Sequence, residues 1–216
     1  MSFELYVWIA NRFFESGNLF AHAYFVLSWN LMCRTNNTER ILLQHFLWKN
    51  DCFGVLFAKT KTDQESELPK DPKHCYANPL NPSICPVLAL GLYFSCNGNV
   101  LSNTSQLLFP GGNQSSRFSR MLQETLSSDQ GKLECALHGL TPNQLGTHSC
   151  RKGSSTFACS RCTAGPSISS VCIRAGWSMG NVQDRYIRFE SAGDQYLGRV
   201  LAGLPISLSN FQSLPP

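Results

Sequence analysis

The segment 147-THSCRKGSSTFACS-160 sets His148 three residues before Arg151. The glycine-threonine pair just ahead of the histidine marks the start of a helix over 148–160. Residues three apart on a helix lie on the same face, so the imidazole and the guanidinium are directed at one common target. The segment therefore predicts a helix that presents a two-residue binding site.

Composition places the chain among folded globular proteins. It has 216 residues, of which 43% are hydrophobic and 15% charged, and the sequence contains no internal repeat or low-complexity block. That length suits one domain with a substantial core, and no stretch has the composition of a domain linker. We predict a single domain over residues 1–216.

The cysteines and the start of the chain indicate its compartment. The ten cysteines stand as single residues within apolar stretches, as Cys33, Cys85 and Cys172 do, which is typical of buried thiols. The apolar start has neither the basic region nor the cleavage site of a signal peptide, and no apolar run suits a membrane span. The prediction is a soluble protein in a reduced compartment inside the cell.

Positive charge is concentrated in one part of the chain. The formal net charge is +4, whereas residues 148–188 alone hold six lysines or arginines and a single acidic residue, Asp184, a balance of +5. A basic third of a chain suggests an anionic partner, with nucleic acid as the first candidate. An ordinary solvated surface is the alternative.

Apolar periodicity predicts a mainly helical chain with one small hairpin. The turn signal Asn50-Asp51 leads into the apolar run 52–62, whose lysines lie at the end of a strand. The stretch 38–48 fits either a helix end or a strand. Helices are predicted over 18–33, 83–94, 117–127, 148–160, 168–175 (begun by Ser167 and ended by Gly176) and 181–190.

One set of polar and aromatic side chains has a shared chemistry: Arg34, Lys61 (with Lys59 as the alternative), His148, Arg151, Trp177 and Tyr186. Each has an ordinary structural explanation on its own. Together they match what phosphodiester transfer without a metal requires, because arginine forks bind phosphate oxygens and a tyrosine oxygen can act as a nucleophile.

The order of these residues resembles the tyrosine recombinase, or phage integrase, family, whose pattern is Arg, Lys, His-x-x-Arg, His or Trp, and Tyr. The matching positions are Arg34, Lys61, 148-HSCR-151, 176-GW-177 and 186-YIR-188. The stretches 76–93 and 191–205 are similar to the Crypton-type recombinases of eukaryotic mobile elements. The resemblance spans the core of the chain, about residues 20–205.

This resemblance implies a mainly α-helical catalytic domain with a small antiparallel β-hairpin sheet. Tyr186 would attack the scissile phosphate and form a 3′-phosphotyrosyl bond, while Arg34 and Arg151 hold the phosphate. His148 would assist by hydrogen bonding and proton transfer, and Lys61 would protonate the leaving oxygen. Arg34, His148 and Arg151 are therefore expected to converge, and neither a metal nor another cofactor is implied.

The same resemblance implies a DNA partner. Trp177 would pack beside the phosphate and offer its indole N–H. The chain would bind double-stranded DNA and associate with further copies of itself on that DNA. This would take place in the nucleus, during integration of a mobile element, and would involve no membrane. Contacts to the DNA are expected from Lys59, Lys152, Arg174, Arg185 and Arg188.

Two features depart from the family pattern. The family usually has a glutamate three residues after its first arginine, where this chain has Asn37, and Glu39 lies two residues further on. Only 33 residues precede Arg34, so the separate N-terminal domain that completes the DNA clamp in this family is expected to be absent.

Two other functions compete with strand transfer. One is a DNA-binding module of the same ancestry that has lost catalysis. The other is a zinc protein built on the pair Cys159 and Cys162, although a lone C-x-x-C is a weak signal and no second pair has ligand spacing.

Overall fold

The computed structural model describes residues 1–49, 51–57, 71–98, 106–180 and 191–207. Within these ranges the strands are β1 (Phe46–Lys49), β2 (Cys52–Val55) and β3 (Lys73–Tyr76). The helices are α1 (Phe3–Glu15), α2 (Leu19–Leu31), α3 (Thr35–Glu39), α4 (Pro86–Cys96), α5 (Gln114–Ser127), α6 (Asp129–Leu137), α7 (His148–Ser160), α8 (Ile168–Ala175) and α9 (Ser191–Leu201). The predicted fold class, mainly helical with a small antiparallel sheet, is confirmed.

Helix α2 forms the centre of the core. Every residue from Phe20 to Leu31 is buried. A helix with apolar residues on all of its faces is expected to be enclosed in this way. Helices α1, α4 and α7 pack around it, and the ring of Trp29 stacks on Tyr6 of α1 with the ring centres 4.0 Å apart. The helix ends where Met32 adopts a left-handed conformation, at φ 48°.

The sheet has the order β1-β2-β3 and is antiparallel throughout. Lys49 of β1 lies opposite Cys52 of β2, so the first hairpin turns where the Asn50-Asp51 signal predicted it. Val55 of β2 lies opposite Lys73 of β3. The ambiguous stretch 38–48 holds both the end of α3 and the start of β1.

Helix α9 packs against β3, and a glycine makes the contact close. A Cβ atom on Gly198 would lie 2.3 Å from the carbonyl oxygen of His74, so only glycine allows this separation. On the other side of the same turn, Leu197 and Leu201 are fully buried. The sheet also packs on the helical core directly, through Phe53, Val55 and Cys75.

Six of the ten cysteines are buried, among them Cys33 and Cys85, as predicted, and Cys172 is half-buried. The prediction of buried thiols is wrong for the three exposed cysteines, which are Cys96, Cys159 and Cys162. Among the described helices, none combines the length and apolar character that a membrane crossing requires.

Candidate functional site

A cleft of about 370 Å³ opens along one side of α7. Two arginines and a lysine are among its lining residues, and none of the lining residues that the structure describes is acidic. The lining consists of Arg34, His148, Arg151, Lys152, Ser155, Thr156 and Trp177. Such a wall favours an anionic ligand, because nothing in it opposes negative charge.

Arg34 reaches this cleft because α2 ends just before it. The left-handed turn at Met32 is followed by the buried Cys33, and Arg34 then adopts an extended backbone with ψ 150° ahead of α3. Its side chain does not cap α3 and lines the cleft instead. The end of the central helix therefore fixes the first arginine.

Arg151 is held on α7 with its guanidinium largely buried. Only 8% of the residue is exposed, and an Nη2 hydrogen is donated to the carbonyl oxygen of Ala175. Burial lowers the pKa of Arg151 below its ordinary value, and the positive charge of Arg34 lowers that pKa further. The effect of Arg34 indicates that the two guanidinium groups lie close enough to repel one another.

The structure thus brings together side chains that are far apart in sequence. Arg34 and Arg151 are separated by 117 positions and share the cleft with the exposed His148, the first residue of α7. The expected convergence of the two arginines and the histidine is found. Their catalytic roles are a separate matter and stay predictions.

Trp177 is placed by the end of α8. Gly176 ends that helix in the left-handed region, at φ 65°, and the Trp177 backbone N–H donates to the Cys172 carbonyl at 2.9 Å. The indole is 41% exposed. The Cζ atom of Arg151 lies 5.5 Å from the ring centre, a distance at which a cation is attracted to an aromatic face.

Three more residues of α7 complete the wall. Lys152 is exposed beside the cleft, as expected for a predicted DNA contact. The sequence analysis missed Ser155 and Thr156, whose hydroxyls donate to the carbonyls of Arg151 at 2.7 Å and Lys152 at 2.9 Å. Their spacing of four from the two cations was the available signal, since residues four apart share a helix face.

The acidic residue near Arg34 is used elsewhere. A Glu39 carboxylate oxygen accepts a hydrogen bond from the backbone N–H of Ser115, at the start of α5. Within the described part of the chain, no ion pair joins Arg34 to a carboxylate. Glu39 therefore does not replace the missing acidic residue at Asn37.

The prediction that Arg174 contacts DNA is wrong in this structure. The residue is 1% exposed, and its Nη1 atom lies 2.6 Å from an Asp194 carboxylate oxygen. Its other donors bind backbone carbonyls of Asn30 and His74. With its guanidinium enclosed and engaged, Arg174 has nothing to offer a phosphate outside the fold.

Five predicted residues lie outside the described ranges: Lys59, Lys61, Arg185, Tyr186 and Arg188. The described chain stops at Phe57 and resumes at Asp71 around the two lysines, and it stops at Gly180 and resumes at Ser191 around the others. The assignments to these five residues stay predictions.

Tyr196, the other tyrosine near the C-terminus, is not among the described residues that line the cleft. It lies on α9, and its hydroxyl donates to the carbonyl of Ala164 in the loop that follows α7. Burial raises the pKa of its phenol above the ordinary value. Neither feature suits a nucleophile.

The cysteine pair proposed for zinc is exposed at the end of α7. Both Cys159 and Cys162 are solvent-accessible free thiols. In the described ranges, histidine, cysteine and acidic residues form no group of three or more with the arrangement of a metal site.

Comparison of the sequence with protein-family models and with curated proteins finds no match. The fold, however, is similar to a solved structure, the FLP Recombinase-Holliday Junction Complex I, with a TM-score of 0.62 and 13% sequence identity. The similarity covers 92% of this chain and 49% of the FLP chain, so this chain spans about half the length of that recombinase. The architecture built around the cationic cleft is therefore similar to the fold of about half of the FLP recombinase chain.

Proposed function

We propose that this chain binds double-stranded DNA and breaks and rejoins its strands through a 3′-phosphotyrosyl intermediate. The observation that carries the proposal is the convergence of Arg34, His148, Arg151 and Trp177 on one cleft, whose lining in the described ranges includes no acidic residue. The similarity of the fold to a recombinase supports the same conclusion.

The two arginines would bind the scissile phosphate. Two guanidinium groups that line one cleft, as those of Arg34 and Arg151 do, are stabilised when a phosphate lies between them. Their charges would neutralise the non-bridging oxygens as negative charge develops in the transition state. The carbonyl of Ala175 occupies one Arg151 hydrogen and leaves other donors for the phosphate.

Tyr186 would supply the nucleophile and Lys61 the general acid. The tyrosine oxygen forms a bond to phosphorus while the bond from phosphorus to the 5′-oxygen breaks. The phenolic proton passes to His148, and Lys61 gives a proton to the leaving 5′-oxygen, so a free 5′-hydroxyl results. Attack by a 5′-hydroxyl on the phosphotyrosyl bond reverses these steps, and the energy of the original linkage is conserved.

The wider setting belongs to the same proposal. The likeness of 76–93 and 191–205 to Crypton-type recombinases supports integration of a mobile element, which takes place in the nucleus. Exchange of strands between two duplexes requires more than one active site, so we propose that copies of the chain associate on DNA.

A trapping experiment tests the chemistry. The protein is incubated with a pool of nicked duplexes of randomised sequence. Cleavage near the nick releases a short fragment with the free 5′-hydroxyl, and loss of this fragment by diffusion prevents religation. We expect a protein–DNA adduct that survives denaturation, is lost in Tyr186→Phe and persists in Tyr196→Phe. An adduct that persists in Tyr186→Phe contradicts the assignment of the nucleophile.

A DNA-binding domain that has lost catalysis is the second candidate. One observation favours it: the residue that should support Arg34 is Asn37, and the nearby Glu39 carboxylate is engaged by Ser115. In that case the wild-type chain binds DNA but yields no adduct with any substrate in the pool.

A further inference from the structure

The most enclosed charge in the described chain is the guanidinium of Arg174 on α8, at 1% exposure. Its Nη1 atom donates to the Asp194 carboxylate at 2.6 Å. Its Nη2 atom donates to the carbonyls of His74 at 2.8 Å and Asn30 at 2.9 Å, and its Nε atom to the Asn30 carbonyl at 3.2 Å. A planar fork with donors on several sides suits this arrangement, and a lysine ammonium does not.

These bonds join four elements that the sequence keeps apart. Asn30 belongs to the last turn of α2, His74 to β3, and Asp194 to α9. The Asp194 carboxylate also accepts the backbone N–H of His74 at 2.9 Å and lies 2.8 Å from the His74 Nδ1 atom. Arg174 is therefore the centre of a buried polar cluster made of Arg174, Asp194, His74 and the Asn30 carbonyl.

The cluster lies directly behind the cleft. The residue after Arg174 is Ala175, whose carbonyl accepts the hydrogen bond from Arg151. On α2, Asn30 lies four positions before Arg34. The acceptor of Arg151 is therefore one residue from Arg174, and Arg34 follows four residues after the Asn30 carbonyl that Arg174 binds.

The type of acceptor given to Arg151 explains why such a cluster is useful. A carboxylate in that place would fix Arg151 but cancel its charge, whereas a backbone carbonyl orients the guanidinium and leaves the charge for a ligand. A neutral acceptor is weaker, so its own position has to be fixed by something else. The bonds of Arg174 to three other elements do that for the adjoining Ala175.

We propose that Arg174 is a positioning residue for the cleft, acting on Arg151 through the Ala175 carbonyl and on Arg34 through the last turn of α2. Asp194 and His74 support it by holding its guanidinium in one orientation. The inference rests on the proposed function, because it takes the cleft to be a phosphate site. It goes beyond that function by giving a buried ion pair a role in ligand binding.

Arg174→Lys and Asp194→Asn test this proposal, with Arg199→Lys as the matched control. Arg199 lies on α9 and also belongs to a partly buried ion pair, with its Nη2 atom 2.8 Å from an Asp51 oxygen. That pair joins α9 to the first hairpin, and the Arg199 guanidinium also lies 3.9 Å from the ring centre of Tyr76. Arg199→Lys therefore reports what loss of a fork on a partly buried arginine does to stability alone.

Two readouts separate positioning from stability. The first is the affinity for a short duplex of mixed sequence, measured well below the melting temperature of each variant. The second is the quenching of Trp177 fluorescence by iodide, divided by the quenching by neutral acrylamide. Every variant carries Trp48→Phe, and the contribution of Trp177 is the difference between a protein that has this tryptophan and the same protein with Trp177→Phe. Iodide is drawn to an ordered cationic cleft, so its relative efficiency reports the arrangement of the arginines without DNA.

We expect Arg174→Lys and Asp194→Asn to lose about tenfold in DNA affinity, by analogy with the lower end of the loss seen when the hydrogen-bond partners of metal-binding residues are removed. The preference for iodide should fall with it, while Arg199→Lys retains both properties. The proposal is overturned if folded Arg174→Lys has the same DNA affinity and iodide preference as the control. If Arg174→Lys does not fold, the same result in Asp194→Asn overturns it. If the wild type binds no DNA, the proposed function fails, and the iodide measurement still decides the role of Arg174.

Discussion

The guanidinium of Arg151 lies over the indole of Trp177, with its Cζ atom 5.5 Å from the ring centre. The ring is 41% exposed and belongs to the lining of the cleft. Arg151 is therefore held between the Ala175 carbonyl on one side and an aromatic face on another. The tryptophan therefore contacts the arginine that we propose binds the phosphate.

Removal of the ring should weaken binding by a small, measurable amount. We expect Trp177→Ala to lower DNA affinity by a factor of about 2–5, because a cation–π contact at an exposed site contributes about 0.5–1 kcal/mol. Trp177→Phe keeps an aromatic face and should lose less. Fluorescence anisotropy with a labelled duplex measures both, and equal loss in the two variants would show that the face of the ring is not what matters.

Binding should depend steeply on salt, and Lys152 should account for part of the slope. Replacement of one phosphate-binding lysine lowers the slope of log K against log salt by about 0.9. We expect that reduction for Lys152→Ala and none for Lys132→Ala, because Lys132 is exposed on α6 and does not line the cleft. A slope near zero for the wild type would make the basic region an ordinary solvated surface.

The choice between Lys61 and Lys59 has a chemical test. A 5′-thiolate leaves without a proton, so a substrate with a bridging sulfur should restore cleavage in a variant that lacks only the general acid. We expect rescue of Lys61→Ala and no rescue of Arg151→Ala, whose defect lies in phosphate binding. Rescue of Lys59→Ala instead would show that the neighbouring lysine is the acid.

Two glycine substitutions should have opposite effects on stability. A Cβ atom on Gly198 would meet the His74 carbonyl oxygen at 2.3 Å, so Gly198→Ala should cost about 1–3 kcal/mol of unfolding free energy, the usual range for overpacking. Gly91, inside α4, has no atom within 4 Å of the same position, so Gly91→Ala should gain about 0.5–1 kcal/mol. Chemical denaturation measures both, and a neutral Gly198→Ala would mean that α9 moves freely on β3.

Stability in acid should depend on Asp194. Burial raises the pKa of this carboxyl, but the charge of Arg174 and the hydrogen bonds from His74 outweigh it and hold the pKa at about 2, below the ordinary 3.8. A carboxyl with a depressed pKa contributes stability above the ordinary value and loses that contribution as the pH falls towards 2. Asp194→Asn should therefore be about 2 kcal/mol less stable than the wild type at pH 6, with the difference closing between pH 4 and pH 2. A difference that stays constant over that range would contradict this account.

Local chemistry explains the elements that the sequence predicted well. The predicted helices 148–160 and 168–175 are found with the same bounds. Ser167 accepts the N–H of Ser170, and Gly176 ends the second helix at φ 65°. These signals are carried by side chains within a few residues of the helix end, so no knowledge of the rest of the fold is needed.

Elements that depend on distant partners were missed. Strand β3, 73-KHCY-76, has no alternating pattern and is a strand because β2 and α9 pack on it. Helix α9 contains two glycines, which disfavour a helix locally, and the one at position 198 is needed for a contact with β3. Helices α1 and α6 were not predicted either.

The candidate site shows the same division. The spacing of His148 and Arg151 was readable along one helix, and the family pattern added Arg34 and Trp177. The burial of Arg174 was not readable, because its partner Asp194 comes twenty positions later on another helix. A count of charges cannot tell a cation on the surface from one enclosed in an ion pair.

The wide sequence separation of the cleft residues has a consequence for the order of folding. The backbone hydrogen bonds within helices α2 and α7 are local and can form early, whereas Arg34 and Arg151 meet only after a loop of 117 positions has closed. A partly folded chain can therefore contain these helices before the cleft between Arg34 and Arg151 has formed. Topology alone therefore delays assembly of the proposed phosphate site until the domain is complete.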